Sequence, residues 1–145
     1  MNPSFLFVLI LFPFHLSGTD VDSLKQRLND APYKDKIAIY QQLGSFYSQQ
    51  RSDSSILYYQ QAIDLAREAN DSVMVLDLAL LQIKQCEELG RLSEFTTKNQ
   101  FISKFINQGT NITYKIEFER TKGRIYWKLH DLSNAYSSFS NLRVL

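Results

Sequence analysis

Apolar residues recur along most of this chain at spacings of three and four, the period of one face of an α-helix. The stretch IAIYQQLGSFYSQQRSDSSILYYQQAIDLA, residues 37–66, reads as two helices folded back on each other. Ile37, Tyr40, Leu43, Gly44 and Tyr47 make the stripe of the first helix, and the polar run from Ser48 to Ser55 makes the turn. Ile56, Tyr59, Ala62, Ile63 and Ala66 make the stripe of the second. Asp53 or a neighbouring serine can cap that helix by accepting a bond from one of its first N–H groups. The small residues Gly44 and Ala62 let the two helices approach closely, with Tyr47 and Tyr59 filling the space beside them.

The alternation of helix and polar turn continues. Asn70-Asp71-Ser72 is a capping cluster ahead of VMVLDLALLQIKQCEELG, which ends in a turn at Gly90. A helix from Ser93 to Gln108 then turns Phe95, Ile102, Phe105 and Ile106 inward. After Gly109-Thr110-Asn111 comes ITYKIEFERTKGRIYWKLHDLSNAYSSFSNLRVL, whose second helix opens at Asp131 and buries Ala135, Phe139 and Leu142. Within it Ile112, Tyr114, Ile116 and Phe118 alternate with polar residues, which in isolation signals a strand. Helix is expected there instead, because a lone strand would have no partner in this chain.

Two segments precede the hairpins. DVDSLKQRLND, residues 20–30, puts Val21, Leu24 and Leu28 on one face of a short leader helix, with Asp20 or Asp22 as its cap. Ala31-Pro32 ends it, and no proline occurs after Pro32 to interrupt a helix. Before it, an apolar run from Phe5 to Phe14 is broken only by Pro13, and no charge precedes Asp20. That run has the length of a signal-peptide core and falls short of the roughly 20 residues a membrane-spanning helix needs. The expected organisation is a signal peptide over 1–18, a leader helix and turn over 19–33, and three hairpin units over 34–70, 71–110 and 111–145. Export to a periplasmic or extracellular location follows from the signal, with no membrane span in this chain.

The three units repeat at a fixed spacing. Ser55, Phe95 and Ala135 are forty apart, as are Tyr59, Asn99 and Phe139, then Ala62, Ile102 and Leu142, then Leu65, Phe105 and Leu145. In the first helices Gly44, Ile83 and Gly123 recur at thirty-nine and forty, and so do Tyr47, Cys86 and Tyr126. Tyr40-x2-Leu43-Gly44-x2-Tyr47, with Gly123-x2-Tyr126 and Ala135-x3-Phe139, resembles the tetratricopeptide repeat (TPR) family over residues 35–145, with unit two degenerate. The resemblance implies an all-α fold of antiparallel helix hairpins stacked as a short right-handed superhelix. The period is longer than the usual 34 and no proline closes a repeat. Both features are similar to a bacterial subset of exported repeats that precede sensor histidine kinase or helix-turn-helix regulator domains. Neither kind of domain occurs before Leu145, so the chain is expected to supply at most the sensory part of such a protein.

Composition adds little beyond permission to fold. The 145 residues are 44% hydrophobic and 13% aromatic, enough for one core. Sixteen basic against fifteen acidic residues leave a net charge of +1, which points to neither nucleic acid nor an anionic membrane. Cys86 is the single cysteine, so an intramolecular disulfide is excluded and a core role is expected. His130, in a turn beside Asp131, is the one histidine outside the apolar N-terminal run. No nucleophile, acid–base pair, metal-ligand cluster or phosphate-binding loop stands out, and neither an enzyme nor a cofactor or metal is expected.

Binding therefore has to come from the face that the repeats present. In a stack of hairpins the first helices line a concave surface where a peptide or protein segment docks. The family register puts Gln41, Ser45, Lys84, Arg120, Arg124 and Trp127 there. Basic groups beside an indole suit an acidic peptide or a terminal carboxylate. In the competing reading Lys84, Arg120 and Arg124 are a solvated face neutralised by Glu87, Glu117 and Glu119. The sequence also closes on Leu142-Arg143-Val144-Leu145 without the polar outer face that ends most repeat arrays. Either that edge pairs with another copy or partner, self-association as a structural helical-repeat protein being the alternative function, or the array is a truncated form of a longer one.

Overall fold

The computed structural model describes residues 18–106 and 111–144, which form seven helices and no strand. They are α1 (Gly18–Asp30), α2 (Tyr33–Gln49), α3 (Ser54–Glu68), α4 (Ser72–Glu88), α5 (Leu92–Ile106), α6 (Ile112–Lys128) and α7 (Leu132–Asn141). The expected signal segment lies outside the described residues except for Gly18, which is the first residue of α1. Each helix packs on the next in sequence, and α4 also packs on α6. Three hairpins, α2/α3, α4/α5 and α6/α7, thus follow one another as the spacing predicts, with α1 against the first. No described helix is long and apolar enough to cross a membrane. Ile112 to Phe118, whose alternation imitates a strand, lies in α6.

The turns repeat as faithfully as the helices. Arg51, Gly90 and His130, each just past a first helix, have φ of 52°, 71° and 58°. In each case the following N–H reaches back to the residue five before it. Ser52 donates to Tyr47 at 3.0 Å, Arg91 to Cys86 at 2.8 Å and Asp131 to Tyr126 at 2.9 Å. The left-handed residue donates one bond inside that ring, so the free carbonyls of the last helical turn are satisfied. Asn70, with φ 56°, ends α3 by the same device. Only Gly90 takes this conformation without a Cβ; for Arg51 and His130 it costs about 1–2 kcal/mol each.

Caps begin the helices that follow. Asp71 accepts from the Met74 N–H at 3.0 Å, Asn111 from Thr113 at 2.9 Å and Asp131 from Asn134 at 3.1 Å. At the start of α3 the serine, not Asp53, is the side chain that accepts from a backbone N–H. Asp53 makes no cap bond and pairs with Arg91, while the Ser52 hydroxyl takes the Ser54 N–H at 3.3 Å. Helix α1 starts early enough to place Asp20 in its first turn and Asp22 inside it.

Two apolar clusters hold the stack. Val21 and Leu24 of α1 pack with Ile39 and Leu43 of α2, and Leu28, Tyr47 and Tyr58 lie alongside. The larger cluster runs from Ile37 through the α3 stripe, α4 and α5 to Phe118 and Ile125 of α6. Helix α4 is buried nearly all round, and its core polar groups are satisfied. The Gln82 amide donates to the Ile56 carbonyl at 3.0 Å and to Gln60 at 3.1 Å. Ser55 donates to the Ser52 carbonyl at 2.8 Å. Of the expected stripes, Leu28, Tyr40, Tyr47, Phe105 and Leu142 are half-buried, and Phe139 is 39% exposed because no described helix covers α7 as α4 covers α3.

Within the outer hairpins a ring from the second helix lies on a glycine of the first. A Cβ built on Gly44 would stand 2.8 Å from the Tyr59 ring, and one on Gly123 2.5 Å from the Phe139 ring. In the middle hairpin the pair at the same repeat positions is Ile83 and Asn99, bulk exchanged for bulk. Gly44→Ala is expected to cost about 1–3 kcal/mol by forcing the ring off its seat. In a double-mutant cycle with Tyr59→Ala, measured by urea unfolding, the loss should be markedly less than additive. Additive losses would show that the contact does not set the spacing.

Candidate functional site

Helices α2, α4 and α6, the first helix of each hairpin, share one side of the stack. Between them lies a groove of about 350 Å³ lined by Gln41, Asp77, Leu80, Leu81, Lys84, Thr113, Tyr114 and Glu117. Leu80 and Leu81 give it an apolar floor. Its rim is polar and tied across the helices: the Tyr114 hydroxyl donates to Asp77 at 2.6 Å, and Lys84 meets Glu117 at 2.6 Å. Burial on the aromatic side and the neighbouring Asp77 carboxylate keep the Tyr114 hydroxyl protonated, with the hydrogen bond to Asp77 the leading cause of its raised pKa.

The sequence-predicted residues divide between two places. Gln41, half-buried, and Lys84 line the groove, while Ser45 is exposed one turn further along α2. Arg120 is exposed and bonds Glu117 at 3.2 Å on its own helix. Arg124 and Trp127 instead border a shallow cleft with Lys128 and Phe139 on the α7 side, and Trp127 is 63% exposed. Gln41 and Trp127 therefore do not converge on one ligand-sized site. Asp77, Tyr114 and Lys128 were not singled out by sequence. Their signal is faint: Asp77 to Tyr114 and Glu87 to Arg124 are both thirty-seven apart, one helical turn short of the repeat.

The basic groups are neutralised from within. Arg124 bonds Glu87 through both Nε and a terminal nitrogen, the latter at 3.0 Å, and Lys128 reaches the same carboxylate at 3.0 Å. Glu117 serves both Lys84 and Arg120. The competing reading of these side chains as a paired face thus holds for Glu87 and Glu117. Glu119 differs, taking Lys122 at 3.0 Å and Asn141 at 3.2 Å. Burial works against the Glu87 carboxylate, but Arg124 and Lys128 together outweigh it and hold its pKa below the usual range. Lys84, then the nearby arginines, lower that of Glu117 against its partial burial. Each of these two carboxylates thus holds two cations, while Asp77 on the groove rim has a hydroxyl partner in Tyr114.

Chemistry elsewhere is sparse. Cys86 is fully buried, and burial pushes its thiol up to about 11, so it is a core residue with almost no thiolate at neutral pH. His130 occupies the left-handed position of its turn. Among the described residues no group of three or more histidine, cysteine or acidic side chains is placed to hold a metal ion.

Because Glu87 and Glu117 have folded pKa values below their unfolded ones, the folded chain binds fewer protons in the acid range, and stability falls as pH drops. Thermal melts should show this loss beginning below about pH 5, near the ordinary glutamate range, and the loss should be smaller in Glu87→Gln. An unchanged acid profile in that variant would remove Glu87 as the linked group. The Cys86 thiol should resist an aromatic disulfide reagent in the native chain and react fully in denaturant; rapid native labelling would contradict its burial. No family model matches this chain, and neither a curated protein nor a solved structure matches it.

Proposed function

We propose that the protein is a TPR-like interaction module whose three hairpins, in the right-handed sense of that family, bind a peptide or protein segment along α2, α4 and α6. The observation that carries this reading is the groove between those helices: an apolar floor of Leu80 and Leu81 under a rim of Gln41, Asp77, Lys84 and Glu117. An extended segment fits such a surface by burying side chains on the floor and exchanging hydrogen bonds with the rim. Lys84 and Arg120, which share Glu117 at the edge of the groove, are the donors an acidic segment would compete for. The apolar run Phe5–Phe14 supports delivery of the module outside the cytoplasm, and the sensory role of similar bacterial repeats is the setting in which such a module would work.

Arg120 is the best residue for a test, since its one ion pair is to Glu117 on the same exposed helix face and its loss leaves the hairpins packed. Selection of a random displayed-peptide library on the full chain should return sequences enriched in Asp and Glu. Calorimetry with a selected peptide should show about tenfold weaker binding to Arg120→Ala, a loss of about 1.4 kcal/mol. Failure to select any peptide, or equal affinity for the variant, would count against docking in this groove.

A further inference from the structure

The middle hairpin leaves open a space that the first hairpin fills. In the first hairpin the rings of Tyr40 and Tyr58 meet between α2 and α3, with centroids 6.3 Å apart. Thirty-nine and forty residues later, at the spacings of the repeat, stand Ala79 on α4 and Lys98 on α5. A methyl group and a flexible amine replace two rings, and a cavity of about 190 Å³ lies between α3, α4 and α5. Ile63, Ala79 and Ile102, all buried, form its apolar wall, with Phe101 beside them. The cavity and the groove use opposite sides of α4, since Ala79 and Gln82 are about half a helical turn round from Asp77, Leu81 and Lys84.

The polar groups around this cavity say what it takes. Its two charged residues, Arg67 and Lys98, are both cations, and no acidic side chain lines it. Arg67 already has partners, pairing with Asp64 at 3.1 Å on its own helix and lying over the Phe101 ring at 6.0 Å. Lys98 is half-buried and forms no ion pair among the described residues. Its ammonium donates to the Gln60 side-chain oxygen at 3.5 Å, longer than an ordinary hydrogen bond. That oxygen also accepts from the Gln82 amide at 3.1 Å, and Gln82, only 2% exposed, is fixed by a second bond to the Ile56 carbonyl. The polar end of the cavity is therefore built from buried groups, with one cation short of a partner. A carboxylate would give Lys98 a shorter, charge-assisted bond than Gln60 does. An apolar cavity of about 150 Å³ takes up benzene, so this one has room for a ring that carries such a group.

We propose that this cavity is a small-molecule site for an aromatic monocarboxylate, its carboxylate on Lys98 and its ring against Ile63, Ala79 and Ile102, where the first hairpin keeps rings of its own. Phenylacetate titrated into the full chain and followed by amide-resolved NMR should saturate with a Kd below about 1 mM, a modest demand for a ligand of its size. The signals that move should be those of Ala79, Phe101 and Ile102, not those of Lys84 and Tyr114 in the groove. Phenylacetamide, which has the same shape without the charge, should bind at least about tenfold more weakly. Lys98→Gln removes the cation without touching the apolar wall. It should keep the wild-type melting curve and lose about the same factor for phenylacetate, while its affinity for phenylacetamide stays as in the wild type. Absence of saturable binding, shifts confined to the groove, equal affinity for the two compounds, or a Lys98→Gln variant that binds phenylacetate as the wild type does overturns the site. None of these outcomes bears on the selection of acidic peptides by the groove, which lies across α4 from the cavity.

Discussion

The distance between the two helices of a hairpin is the constraint on which the rest of this structure depends. In the outer hairpins it is set by an aromatic ring lying on a residue without a Cβ, Tyr59 on Gly44 and Phe139 on Gly123. That contact brings two backbones close enough for the remaining apolar stripes to interlock, and close packing at protein density makes the spacing unforgiving. The middle hairpin has Ile83 and Asn99 at those positions in place of the glycine and the ring, and α4 and α5 pack on each other less extensively than the helices of the outer hairpins do. The groove is lined by residues from the first helix of each hairpin, so it depends on how those three helices are held side by side.

Those packing relations are what the residues announce most clearly. A stripe such as Ile56, Tyr59, Ala62, Ile63 and Ala66 has to be buried to repay ordering the chain, and every member of it is. Turns were equally legible at Asp71, Asn111 and Asp131, where a short oxygen-bearing side chain precedes an apolar period. At α3 the choice between Asp53 and a neighbouring serine stayed open, because a carboxylate can serve an N–H group or a guanidinium, and Arg91 from the next turn is within reach only once the stack is formed. The same limit applies to the candidate site. Lys84 and Gln41 face the groove as their register implies, but the separation of Arg124 and Trp127 from them depends on how α6 lies against α4 and α7, which no local pattern encodes.

Charge on this face is used twice over. Glu87 and Glu117 each bind two cations and in doing so fasten α4 to α6, through Arg124, Lys128 and Lys84. Because the cations stay partly in solvent, each pair contributes about 0–1 kcal/mol, so they align helices that the core already holds. The side chains that would greet an acidic ligand are thus the ones that keep two repeats in register, and an incoming carboxylate competes with an internal one for the same donors.

The exchange of Gly for Ile and of ring for amide in the middle hairpin has a mechanical consequence. It leaves the Asn99 Oδ1 buried without a hydrogen-bond partner, a penalty of about 1–3 kcal/mol that the outer hairpins do not carry at that position. In a stack where each helix leans chiefly on its neighbours, stability is a sum along a line, and a line parts at its weakest joint. The seam between α4 and α5 is such a joint. Opening there would loosen α5 while α4 still holds α6 directly, so the middle hairpin would give way without parting the front of the stack from the back.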